Sequence, residues 1–157
     1  MMDMILNIDK QPREALAAID AVGNRLTYGE LCYFSKMLES AMPFRSLLFL
    51  LTENNVGGIA WSIGCMGAKQ VPLILNAHTE EGLFQNLMEI YRPPYLCVPK
   101  GNPMVESYKV VMEAYGYVLL STGNESCPLH EELSHLLPTS GSTGSPKLVR
   151  HKYANIE

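Results

Sequence analysis

The sequence predicts an α/β domain, a mostly parallel sheet with helices on both faces, and three observations carry that expectation. Short apolar runs recur at 46–51, 71–75, 95–98 and 117–121. Segments with apolar residues at helical spacing lie between them. Turn residues separate the two kinds, and strands that are apolar throughout suit a parallel sheet buried on both faces.

The elements follow in order. Residues 12–20 have the alanine, leucine and glutamate content of a helix, a weak prior over so short a window. Thr27 and Glu30 form a T-x-x-E capping box, in which each side chain satisfies a free backbone N–H of the other residue. Leu31, Phe34, Met37, Leu38 and Ala41 then recur at helical spacing, and Pro43 marks the stop. The strand at 46–51 is closed by the turn residues Glu53-Asn54-Asn55. A helix over 57–66 is rich in small residues and suited to close packing. The strand at 71–75 precedes an amphipathic helix over 79–91, with Leu83, Phe84, Leu87, Met88 and Tyr91 on one side and Pro93-Pro94 beyond it. A strand at 95–98, a helix over 103–114 and a strand at 117–121 complete the series.

Composition bounds the class. A chain of 157 residues fits one domain and can bury about two-thirds of its unfolded surface. Hydrophobic content of 47% with 18% charged residues is globular. Twelve basic against sixteen acidic residues leave a net charge of −4 with no local basic cluster, which argues against nucleic-acid binding. The start, Met-Met-Asp-Met-Ile-Leu, lacks the basic region of a secretory signal. The longest apolar run, 47–51, is too short to span a bilayer, so no membrane partner is expected. Cys32, Cys65, Cys97 and Cys127 are isolated, with no C-x-x-C pair. They read as buried free thiols of a cytoplasmic protein.

The chemistry concentrates near the end, where Thr139 to Lys147 read T-S-G-S-T-G-S-P-K. Gly141 and Gly144 allow positive φ and close approach of backbone to a ligand. Successive N–H groups in such a turn form an anion-binding concavity, to which Ser140, Ser142 and Thr143 add hydroxyl donors. Lys147 supplies a point charge suited to phosphate oxygens. The spacing is neither G-x-x-x-x-G-K-S/T, because Gly141 and Gly144 are too close and Pro146 replaces a helical N–H, nor G-x-G-x-x-G. Such composition also suits a flexible linker, but linkers rarely end in Pro-Lys after a strand-like apolar pair, here Leu136-Leu137.

The run closely resembles the phosphate loop of the adenylate-forming superfamily: acyl-CoA synthetases, aryl-CoA ligases, luciferases and adenylation domains of peptide synthetases. Two upstream stretches match in the order that family requires. Leu26-Thr27-Tyr28-Gly29-Glu30-Leu31 resembles its L-T-Y-x-E-L motif, and Gly64-Cys65-Met66-Gly67-Ala68-Lys69-Gln70-Val71-Pro72-Leu73 its small residues followed by V-P-L. The resemblance spans roughly 15–156, nearly the whole chain. Relatives mostly have glycine where Leu148 stands and a histidine where Tyr153 stands, while Asn155 keeps the following asparagine. His151 is in another register, and no role passes to it.

The resemblance implies the N-terminal subdomain of the adenylate-forming fold. The family places a short strand in 12–20, turning back at Gly23-Asn24 into Leu26, and a strand is therefore expected there. It also implies an ATP- and Mg²⁺-dependent ligase that activates a carboxylic acid as acyl-adenylate, releases pyrophosphate, and passes the acid to a thiol acceptor, coenzyme A or a carrier protein. Thr139, Ser140, Ser142 and Thr143 would be hydroxyl donors, Gly141 and Gly144 the close-approach positions, and Lys147 the charge and the candidate catalytic residue. No metal ligand is assigned. The family's adenine site, ribose-binding aspartate, acyl pocket and mobile C-terminal domain lie beyond this stretch. The chain is thus expected to be a single α/β domain over 1–157, a truncated N-terminal part of a larger AMP-binding domain, inactive alone. If the remainder covers Phe34, Trp61 or the 47–51 strand, the chain alone would expose them and self-associate.

Other constellations count for less. His130-Glu131-Glu132-Leu133-Ser134-His135 is not H-E-x-x-H: histidines five apart lie about 140° apart on a helix and cannot share a metal. A solvated loop or short helix is expected there. His78 is expected to flank the helix that follows it. Trp61 and the nine methionines read as packing. A second reading from another class stays open: a non-catalytic anion-binding or interaction module that keeps the sheet and the loop.

Overall fold

The computed structural model describes residues 5–139 and 147–156. A 3-10 turn, Ile5–Lys10, leads into an antiparallel ribbon of β1 (Leu16–Ile19) and β2 (Arg25–Thr27). Gly23 turns the ribbon at φ +90°, and Asp20 Oδ1 accepts from the amides of Val22 at 3.2 Å and Asn24 at 2.9 Å. The strand expected within 12–20 is present: turn chemistry and pairing outweigh helix propensity over so few residues.

Helix α1 (Tyr28–Ala41) starts at the capping box. The Glu30 amide donates to Thr27 Oγ1 at 3.2 Å, and the Thr27 amide donates to Glu30 Oε2 at 2.7 Å. Leu31, Phe34 and Leu38 are buried, whereas Met37 faces solvent.

Next come β3 (Leu47–Thr52), α2 (Val56–Gly67), β4 (Val71–Asn76), α3 (Glu81–Tyr91) and β5 (Tyr95–Pro99). β3 runs parallel to β4 from Leu47–Val71 to Thr52–Asn76, and parallel to β5 on its other side. Alternation sorts the strand residues: Leu48, Leu50 and Cys97 pack with α1 and α2, while Phe49, Leu51, Leu73, Leu96 and Val98 pack with α3. Small residues let α2 approach its neighbours, since a Cβ at Gly64 would lie 2.8 Å from Phe34 Cδ1. Phe34 in turn meets Trp61 edge to face at 4.9 Å.

The expected helix over 103–114 is not formed. A 3-10 turn, Pro103–Glu106, is followed by strand β6 (Lys109–Ala114), which hairpins into β7 (Tyr117–Ser121). Tyr115 and Gly116 both have positive φ, 54° and 78°, the two-residue turn that matches strand twist. Residues 122–132 then lead to β8 (Leu133–Pro138), which is followed by β9 (Leu148–Lys152) and a 3-10 turn, Tyr153–Asn155. The loop or short helix expected at 130–135 is therefore a turn entering β8, with His135 buried.

The sheet order is β6-β7-β5-β3-β4-β8-β9. β5, β3, β4 and β8 are parallel, β7 and β9 run against them, and β6 pairs antiparallel with β7. The fold class is α/β as expected, and the sheet is mixed rather than mostly parallel. Connections as short as Tyr115-Gly116 cannot make the crossover that parallel pairing requires.

Phe34 and Trp61 are buried, and so is most of β3, which removes the surface on which self-association was expected. Cys65 and Cys97 are the buried thiols foreseen, and burial pushes both up; Cys127 is exposed and Cys32 half-buried, contrary to that reading. Among the described residues no helix is long and apolar enough to cross a membrane.

Candidate functional site

Parallel strands put their C-terminal ends on one edge of the sheet, and the loop residues of β3, β4 and β8 meet there. At the end of β3, Asn55 caps α2: its Oδ1 accepts from the Gly58 amide at 2.9 Å. The buried Tyr117 hydroxyl donates to the same Oδ1 at 2.8 Å and accepts the Glu53 amide at 2.9 Å. The Glu53-Asn54-Asn55 turn is thus held to the sheet by a side chain from β7.

At the end of β4, Asn76 folds the chain back. The His78 amide donates to Asn76 Oδ1 at 2.7 Å, and Thr79 Oγ1 donates to the Asn76 carbonyl at 2.5 Å. His78 is exposed and flanks α3, as expected. Between these two turns lies a cleft of about 510 Å³, lined in part by Thr52, Asn54, Asn55, Ser62, Ile74 and Asn76.

β8 lies beside β4 in register at Leu73–Leu136. Three residues further along each strand, Thr139 falls level with Asn76. Thr139 donates twice to the Lys147 carbonyl, from its amide at 2.9 Å and from Oγ1 at 3.1 Å. This pinch continues the β8–β9 ladder beyond Pro138–Leu148, and the Thr139 and Lys147 side chains are both exposed. Ser140, Gly141, Ser142, Thr143 and Gly144 lie outside the described residues. The structure therefore brings together the two ends of the T-S-G-S-T-G-S-P-K run, at the sheet edge where ligands of α/β folds sit.

Sequence reasoning missed the residue that fixes the other end of this hairpin. Arg45, just before β3, donates to the carbonyls of Lys69 at 2.6 Å, His130 at 2.8 Å and Leu133 at 2.6 Å, and to the Tyr153 hydroxyl at 3.2 Å. Lys69 Nζ lies 4.3 Å from the centroid of the Tyr153 ring. Tyr153, which stands where the resemblance expects histidine, therefore anchors the end of β9 to β3 and β4. The only signal for Arg45 in the sequence is a lone arginine beside an apolar strand.

No family model and no curated protein matches the chain in sequence. Solved structures do match in fold. O-succinylbenzoate coenzyme A synthetase (MenE) from Bacillus subtilis, in complex with AMP, superposes with a TM-score of 0.68 at 18% identity, over 96% of this chain and 42% of that one. The NpsA N-terminal subdomain from Klebsiella oxytoca gives 0.61 at 18% identity, over 96% and 42%. Apo MatB from Rhodopseudomonas palustris gives 0.65 at 16% identity, over 94% and 34%. The chain spans between a third and a half of the length of these structures. Its fold is that of the N-terminal subdomain of the adenylate-forming enzymes.

Proposed function

We propose that this chain is the N-terminal part of a larger AMP-binding domain, in a cytoplasmic ATP-dependent ligase that activates a carboxylic acid as acyl-adenylate. The observation that carries this reading is the position of the T-S-G-S-T-G-S-P-K run. It joins β8 to β9 at the C-terminal edge of the parallel strands, in the fold of enzymes that include an AMP complex. The acid would pass next to a thiol, coenzyme A or a carrier protein.

In this reading the loop holds the β- and γ-phosphates of ATP and orients the departing pyrophosphate. The residue types fit such a group: hydroxyls of Thr139, Ser140, Ser142 and Thr143, close approach at Gly141 and Gly144, and the Lys147 ammonium. Catalysis of this kind is mostly positioning and stabilisation of charge on oxygen. Among the described residues no three His, Cys, Asp or Glu side chains converge. In this reading Mg²⁺ accompanies the nucleotide, bound to its phosphates.

Calorimetric titration of the chain with Mg·ATP and with pyrophosphate, beside Lys147→Ala, tests the reading. Binding that the variant loses supports it. Absence of binding by the unaltered chain removes the preformed phosphate site. The chain alone is expected to be inactive, and acid-dependent ATP–pyrophosphate exchange by it would overturn that part.

A further inference from the structure

The hairpin that ends in the Thr139–Lys147 pinch holds two histidines face to face. His135 on β8 is paired with His151 on β9, and their rings stack with centroids 4.5 Å apart and planes 6° from parallel. His135 is buried, and Ser134 Oγ lies 2.9 Å from its Nδ1. That hydroxyl donates its single proton to the His151 carbonyl at 3.0 Å. His135 Nδ1 must then be the donor to Ser134. Neutral His135 is the Nδ1–H tautomer, and Nε2 is the atom that takes up a proton.

Among the described residues, little nearby would balance two imidazolium charges. β4 and α2 bring no charged side chain, and the α2 thiol, Cys65, is buried. Arg45 reaches the start of β8 through the His130 and Leu133 carbonyls, and Lys69 lies over Tyr153. Arg150 and Lys152 flank His151 on β9. The Glu132 carboxylate is paired to Lys152 at 3.4 Å, and Glu131 is exposed. Burial and the neighbouring His151 hold the His135 imidazole below its ordinary range. Among the described residues β9 is the last strand of the sheet and pairs only with β8.

We propose that the His135–His151 stack is an acid-sensitive latch on this hairpin. With neutral rings β9 lies on β8. Protonation of both rings drives them apart, loosens β9 and undoes the closure between Thr139 and Lys147. Any effect on nucleotide binding rests on the proposed function, but the latch does not, so the two fail separately.

Amide hydrogen exchange by NMR, corrected for the intrinsic pH dependence, reads the latch directly. Protection of the Thr139 amide should fall about ten-fold between about pH 7.5 and about pH 5, while Leu50 in central β3 keeps its protection. His151→Phe keeps a stacked ring without the charge and should abolish the response; His151→Gln gives a second, ring-free readout. Unchanged protection at Thr139, an equal fall at Leu50, or an undiminished response in both variants would overturn the latch.

Discussion

The indole N–H of Trp61 on α2 donates to the carbonyl of Ala114 on β6 at 2.9 Å. The single tryptophan, fully buried, therefore ties a central helix to the edge hairpin. Trp61→Phe keeps most of the packing but removes this bond to a carbonyl that the Ala114–Tyr117 pair of the hairpin also engages, an expected loss of about 0.5–1.5 kcal/mol. Trp61→Ala also opens a cavity and should cost about 3–5 kcal/mol. Urea unfolding of the three proteins checks both values. A Trp61→Phe loss within about 0.5 kcal/mol would mean that water replaces the bond.

Two helical glycines should respond in opposite directions. A Cβ at Gly57 would run into the Tyr115 carbonyl and approach Tyr117 Cε2 to 2.6 Å. The clash is with backbone of the β6–β7 turn, so Gly57→Ala is expected to lose about 1–3 kcal/mol despite its better helix propensity. Gly82 on α3 is exposed, with its nearest atom, Glu80 Oε1, at 3.6 Å. Gly82→Ala should gain about 0.5–1 kcal/mol. Thermal melts of both variants give the signs directly; equal signs would refute the contrast.

Local signals made β3, α2, β4, α3 and both ends of α1 legible, because capping residues and apolar runs act within a few positions. The hairpin of β6 and β7 was not. Its turn uses Tyr115 where Asn or Asp usually announces two positive φ values, and half of Lys109–Ala114 faces outward, so Lys-Val-Val-Met-Glu-Ala gives no clean period of two. The T-S-G-S-T-G-S-P-K run stood out as a local pattern, and the structure describes only its ends, Thr139 and Lys147. Arg45 was invisible, since its partners at Lys69, His130, Leu133 and Tyr153 are 24, 85, 88 and 108 residues away.

The Tyr117 hydroxyl serves two groups at the cleft mouth, Asn55 Oδ1 and the Glu53 amide, at 2.8 and 2.9 Å. Tyr117→Phe leaves the Glu53 amide without its partner and should cost about 1–3 kcal/mol. Asn55→Ala removes the cap of α2 as well as the phenol's acceptor. Because the two side chains share one network, their effects should fall short of additive by about 0.5–3 kcal/mol in a double-mutant cycle. Strict additivity would mean that the two bonds act independently.

Arg45 is the residue whose removal should damage the hairpin most from a distance. Its guanidinium joins the start of β4, the entry to β8 and the hydroxyl of Tyr153, using donors on both terminal nitrogens. Arg45→Ala frees three carbonyls at once, an expected loss of about 2–4 kcal/mol. Arg45→Lys should recover less than half of it, because a single ammonium cannot span carbonyls placed for a planar fork. Tyr153→Phe removes one bond at 3.2 Å but keeps the ring under Lys69, and should cost only about 0.5–1.5 kcal/mol. The ordering Ala worse than Lys, and Lys worse than Tyr153→Phe, is read from urea midpoints at constant m. If Arg45→Lys matches the unaltered chain, charge alone anchors the hairpin and the fork geometry is irrelevant.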